Sequence, residues 1–153
     1  PQVTLDGAAV SVPNQPPAPV EQAPEAIESI VIQEAYALPA GVESVEVPLL
    51  RLAWARSGDK GDASNIGVIA RKPEWLPLLR AQLTEARVKD WLAHLVQGPV
   101  TRYEVPGIHA FNFVCQQALG GGGMASLRND ALGKGMGQIL LAMPVRVPMS
   151  WVN

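Results

Sequence analysis

Cysteine is almost missing from this chain: Cys115 is the only one in 153 residues. That excludes an internal disulfide framework and suits a reducing, cytoplasmic setting. Histidine is nearly as scarce. His94 and His109 are the only two, too far apart to suggest a zinc site. Long apolar runs are also missing, and no stretch approaches the roughly 20 residues of a membrane span. No basic segment followed by an apolar one opens the chain, so no signal peptide is expected. The chain does not begin with Met, which leads us to expect a fragment or a processed product.

Positive charge is absent from the first 48 residues, which hold seven acids and no Lys or Arg. All 12 bases and the other seven acids follow, so a −7 segment precedes a +5 segment. Eight of the 14 prolines lie in the acidic part. "SVPNQPPAPVEQAPEA" reads as an extended linker, because proline removes donors and fixes φ. "AIESIVIQEAY" after it is apolar enough to dock as a short strand or helical turn. The expected division is an acidic, Pro-rich arm over residues 1–47 and a compact domain over 48–150. A +5 domain whose aromatics look buried does not point to nucleic acid.

Within the compact part, "LLRLAWAR" predicts a strand with Leu50, Leu52 and Trp54 on one face. "NIGVIAR" predicts a second, with Ile66, Val68 and Ala70 aligned. A helix is expected from near Leu76. Thr84 should cap another, whose inward face is Val88, Trp91, Leu92 and Leu95, ended by Gly98 and Pro99. "VTRYEV" predicts a strand. "IHAFNFVCQQAL" predicts a helix with Phe111, Val114, Cys115 and Ala118 inward. "MASLR" predicts a fourth strand, Asp130 the cap of a last helix through Met143, and "VRVP" an edge strand. The order β-β-α-β-α-β-α implies an α+β architecture, with helices on one face of a mainly antiparallel sheet.

Two stretches could carry chemistry. "SGDKGDASN" is read as a loop between the first two strands. Asp59 and Asp62 are candidate catalytic bases and Lys60 a candidate contact for an anionic substrate. Oxygens at Asp59, Asp62 and Asn65, spaced by three, could instead hold a hard cation, with Asp130 a further metal candidate. The plain alternative is a charged turn whose aspartates satisfy backbone donors and pair with Arg56. The spacing fits neither an EF-hand nor a P-loop. "LGGGGMASLRND" lets backbone approach a ligand, and its glycines could form an anion-binding nest beside Arg128 and Lys134. It lacks the G-x-G-x-x-G frame of dinucleotide sites. No nucleophile elbow supports Ser57 or Ser126 in a triad. Cys115 reads as a buried small hydrophobe, and Arg102 with Glu104 as a solvated pair.

"RSGDKGDASNIGV" (56–68), "RYEVPGIHAFNFV" (102–114) and "ALGGGGMASLRNDALGK" (118–134) together resemble the C-terminal domain of the acyclic terpene utilisation protein AtuA family. The resemblance spans about residues 48 to 148. It implies a ferredoxin-like α+β sandwich that commonly follows a larger N-terminal domain, to which the arm would be the linker. It also implies bacterial catabolism of acyclic terpenes through CoA thioesters. An accessory or assembly module, or a substrate-binding one, is the first expectation. The alternatives are a small enzyme or half-site acting on an acyl-CoA, of hydratase or lyase type, and a metal- or anion-binding module. Implied partners are a larger AtuA-like domain or subunit, a CoA thioester and further copies of the chain. Among the motif positions, Arg56, Asn65, Asn112, Gly121, Gly122, Arg128 and Lys134 are the candidate substrate- or anion-binding residues.

Overall fold

The computed structural model describes residues 2–11, 38 and 41–152. The chain divides into two units, Pro1–Val31 and Ile32–Asn153. In the first, β1 (Gln2–Leu5) and β2 (Ala8–Ser11) pair as an antiparallel hairpin. Its two-residue connection is Asp6-Gly7, both at positive φ (50° and 80°). Asp-Gly between two apolar runs is a strong hairpin signal. It lies inside the expected arm, and reading the arm by its prolines passed it over. The expectations for "AIESIVIQEAY" and for most of the Pro-rich stretch fall outside the described residues.

The second unit opens with β3 (Ser44–Pro48), which pairs antiparallel with the last strand, β8 (Pro144–Pro148). A four-stranded antiparallel sheet forms from β4 (Ala53–Lys60), β5 (Ala63–Ala70), β6 (Val100–Val105) and β7 (Ala110–Cys115), in the order β4-β5-β7-β6. Helices α1 (Leu76–Gln82) and α2 (Glu85–Trp91) connect β5 to β6, and α3 (Met136–Leu141) precedes β8. The class is α+β, antiparallel sheets with a few helices, as expected. No described helix is long and apolar enough to cross a membrane.

Directly paired residues share a sheet face, and faces alternate along each strand. The register places Ala53, Ala55, Ser57, Ser64, Ile66, Val68, Phe111, Phe113 and Cys115 on one face. That face is buried in a core that also holds Leu78, Leu79 and Leu83 of the α1 segment, Val88 and Leu92, Met136 and Leu140, and Val145 and Val147. The alignment of Ile66, Val68 and Ala70, the start of α1 at Leu76 and the Thr84 cap agree with expectation. Thr84 Oγ1 accepts from the Arg87 N–H at 3.2 Å.

The inward face expected of α2 fails at Trp91, which is exposed, and at Leu95, which lies beyond the helix. Four further expectations also fail. "FNFVC" is the strand β7, not a helix. Its inward residues follow period two (Phe111, Phe113, Cys115), and neighbours on both sides supply its hydrogen bonds. Six residues of mixed aromatic and β-branched type satisfy both periods, and pairing decides between them. "MASLR" is not a strand: Met124 and Leu127 are fully exposed in a loop with one 3-10 turn at Gly123–Ala125. The proposed face of Leu50, Leu52 and Trp54 is broken by a 3-10 turn at Leu49–Arg51. Leu49 and Leu52 are buried, whereas Leu50 and Trp54 are exposed. The fourth is the Arg102–Glu104 pair, which is not simply solvated. Glu104 accepts two bonds from Arg80 (3.1 and 3.0 Å), and Arg102 donates to the Arg80 and Leu83 carbonyls. Arg102 also lies over the Phe111 ring at 5.0 Å. The strand edge is thereby tied to α1.

Candidate functional site

"SGDKGDASN" is less a loop than the far end of a long hairpin. β4 runs to Lys60, β5 starts at Ala63, and only Gly61 and Asp62 turn the chain. Gly61 takes positive φ (64°), as the first position of a glycine-led two-residue turn requires. Lys60 is exposed at this tip, and its side chain makes no hydrogen bond or ion pair among the described residues.

The glycine run packs against that tip. Asp62 Oδ1 accepts the N–H groups of Gly121 (2.7 Å) and Leu119 (3.2 Å). The Asp62 carbonyl accepts from Ala118 and Leu119. Gly120, Gly121, Gly122 and Gly123 all adopt positive φ. At Gly122 the approach is so close that a Cβ would lie 2.0 Å from the Gly61 carbonyl oxygen. Arg128 closes the same segment, donating through Nη1 to the Ala118 and Leu95 carbonyls. Asp130 accepts from the Lys134 and Gly135 N–H groups at 2.7 and 2.9 Å. It therefore caps the turn before α3 rather than the helix, whose N-cap residue is Gly135.

Two serines finish the junction. Ser57 Oγ donates to the Lys134 carbonyl (3.0 Å) and accepts from the Gly137 N–H (2.8 Å). Ser64 Oγ donates to the Gly58 carbonyl at 3.0 Å. Both serines are buried. Ser57 continues the period-two row from Ala53 and Ala55, the signal by which sequence could have placed it inward.

The predicted residues thus separate into two groups. Asp62, Gly121, Gly122, Arg128 and Asp130 belong to the junction, where they bind backbone. Arg56, Asn65 and Asn112 sit on the opposite face of the sheet. Lys134 bridges the two. Its ammonium lies 3.8 Å from Asp59 and 3.3 Å from where a Gly58 Cβ would stand, over that opposite face. The Lys134–Asp59 pair is well exposed, and such pairs contribute little. Among the described residues no group of three His, Cys, Asp or Glu side chains could hold a metal ion.

His94 and His109 are both exposed, and His109 takes positive φ (52°) in the β6–β7 connection. Cys115 is wholly buried. Desolvation pushes its thiol from an ordinary 9.0 up to about 11, and nearby Lys89 only partly offsets this. Alkylation of the native protein at pH 8 should therefore leave Cys115 unmodified, with labelling after denaturation, read by mass spectrometry. The unfolded thiol ionises near pH 9 while the folded one stays protonated. The thiol's contribution to stability is thus complete below pH 9 and is lost as pH rises towards 11.

A cleft of about 310 Å³ lies beside the glycine segment. Leu95, Ala118, Leu119, Met136 and Ile139 form its apolar lining, and Arg128, Asn129 and Asp130 its polar edge.

Residues 47–146 match the family model of the AtuA ferredoxin-like domain. No curated protein and no solved structure matched the chain. The match covers both the hairpin and the glycine segment folded onto it, so the chain belongs to the AtuA ferredoxin-like domain family.

Proposed function

We propose that this domain is an accessory module, non-catalytic by itself, that assembles with a larger AtuA-like domain or subunit. Its setting is the cytoplasmic catabolism of acyclic terpenes or branched acyl-CoA compounds. Residues 1–47 act as the linker arm and 48–150 as the module. One observation carries this reading: Asp62, Arg128 and Asp130 are engaged with backbone groups of the domain's own loops. A general base must reach a substrate proton, and a nucleophile needs a base beside it. Asp62 and Asp130 face inward to N–H donors, and the sole thiol is buried and protonated.

Purified chain incubated with branched and unbranched acyl-CoA thioesters should give no turnover above background, followed by chromatography of the CoA products. Turnover that Asp59→Asn or Lys60→Ala abolishes would replace this reading with the small-enzyme one.

The cleft supports a second reading, a substrate-binding module. Its apolar lining and polar edge suit a short branched acyl chain with a thioester oxygen near Arg128 or Asn129. Stabilisation of the chain by isovalerate or isovaleryl-CoA, lost in Ile139→Trp, would favour it.

A further inference from the structure

The four-stranded sheet has one face in the core and one that stays largely open among the described residues. The uncovered face consists of three rows read directly from the register. Trp54, Ile69, Ala110 and Val105 form the first, Arg56, Gly67, Asn112 and Tyr103 the second, and Gly58, Asn65, Val114 and Thr101 the third. Lys60 extends beyond them at the hairpin tip. Trp54, Ile69 and Tyr103 are exposed large side chains, at 50%, 39% and 53%. No carboxylate lies in the three rows of the face, although Asp59 at the hairpin end pairs with Lys134 at 3.8 Å. Its own charges are Arg56 and Lys60, with Arg71 stacked on Trp54 at 4.8 Å and Lys134 over Gly58.

The polar groups divide in a way that points outward. Ser57, Ser64, Asp62, Arg128 and Asp130, at the junction, are all hydrogen-bonded within the domain. The side chains of Arg56, Asn65, Asn112 and Tyr103 make no hydrogen bond or ion pair among the described residues. These four sit in two adjacent rows of one face, with Gly67 leaving the floor between Arg56 and Asn112 open. Asn65 and Asn112 are half-buried. Two amides held in a sheet centre without partners offer donors and acceptors at fixed positions.

Resting on the accessory-module reading, we propose that this uncovered face is the assembly surface, and that its occupant is an acidic protein surface on the larger AtuA-like partner. The partner would set carboxylates against Arg56 and Lys60 and backbone or side-chain amides against Asn65 and Asn112. Apolar groups would cover Trp54, Ile69 and Tyr103. Aromatic and Arg anchors are the residue types that dominate protein interfaces. Its exposed aromatic side chains stand on the two outer strands, a spread that suits a protein rather than a small ligand. A second copy of the chain is disfavoured, since like faces would bring Arg56 and Lys60 against their own kind with no acid between. Single-stranded RNA is disfavoured because Trp54 and Tyr103 lie on the two outer strands. The two central strands, where stacking bases would lie, present Ile69, Gly67, Asn65, Ala110, Asn112 and Val114.

The test measures binding of the full chain to the separately expressed larger AtuA-like partner by biolayer interferometry. Four chains are compared: wild type, Arg56→Glu, Asn65→Ala/Asn112→Ala, and His94→Ala as a control in the turn after α2. Far-UV dichroism and the thermal midpoint confirm that each is folded. Arg56→Glu should weaken binding by about tenfold or more, and the double amide variant by about threefold or more. His94→Ala should match wild type. Wild-type affinity should fall with added salt. Unchanged binding in both face variants, with wild type binding, would overturn the proposed face while leaving assembly intact. Failure of the wild type to bind would overturn the accessory reading and the face with it. Oligouridylate binding or self-association of the chain alone, abolished by Arg56→Glu, would assign the face to RNA or to a second copy and overturn the proposal.

Discussion

Gly122→Ala should destabilise the domain by roughly 3 kcal/mol or more, a large part of the stability of a typical domain. Two separate costs coincide at this position. The backbone sits at φ 69° and ψ 159°, a region essentially reserved for glycine. An added Cβ would also stand 2.0 Å from the Gly61 oxygen and 2.6 Å from its carbonyl carbon. Those atoms belong to the two-residue hairpin turn, which cannot retreat without unpairing the ends of β4 and β5. Gly123→Ala is the matched comparison. It also has positive φ (49°), but nothing lies within 4 Å of its Cβ position. Conformation alone should cost it about 1–2 kcal/mol. Urea unfolding of both variants measures the difference. Equal midpoints would show that the glycine segment is not clamped on the hairpin.

Asp62→Ala is expected to cost about 2–3 kcal/mol. Its carboxylate accepts two backbone N–H groups, and hydrogen bonds to charged groups are the stronger kind. Removing it leaves the Gly121 N–H to water and the Leu119 N–H without its side-chain partner. The Asp62 carbonyl still accepts from Ala118 and Leu119, so the segment should loosen rather than detach. Asp62→Asn keeps an acceptor oxygen and should lose about half as much. Denaturant titration gives the energies, and hydrogen exchange at Gly121 reports the loosening. The pattern separates structural from catalytic roles. A structural Asp62 loses stability in graded steps from Asn to Ala, whereas a catalytic base would lose activity in both with stability unchanged.

Much of this was legible in the chain itself. The alternation in "NIGVIA" identified the buried face of β5, because an apolar residue every second position has only one way to be buried in a sheet. Thr84 followed by Glu85 and an apolar i, i+4 pair marked the start of α2, because capping is local chemistry. "FNFVC" misled because a short apolar run fits a helix and a central strand equally well. Its state is set by pairing with β5, distant in sequence, and with β6, which precedes it across about four residues. The Met124 and Leu127 side chains suggested a strand by residue type, yet no described strand pairs with them.

The candidate site shows the same boundary. The sequence named Arg56, Asp59, Lys60, Asp62, Asn65, Asn112, Gly121, Gly122, Arg128 and Lys134 without sorting them. Periodicity and turn chemistry were enough for the α+β class and the paired strands around the hairpin, while the family motifs were legible only by resemblance. Sorting the residues needed register and packing. One residue of shift along a strand carries a side chain from the core face to the open one. Register therefore sends Ser57 inward to Gly137 and its neighbour Arg56 outward to the uncovered sheet. Packing of the glycine segment on the hairpin makes Asp62 a clasp for backbone N–H groups, and that contact joins residues more than fifty positions apart.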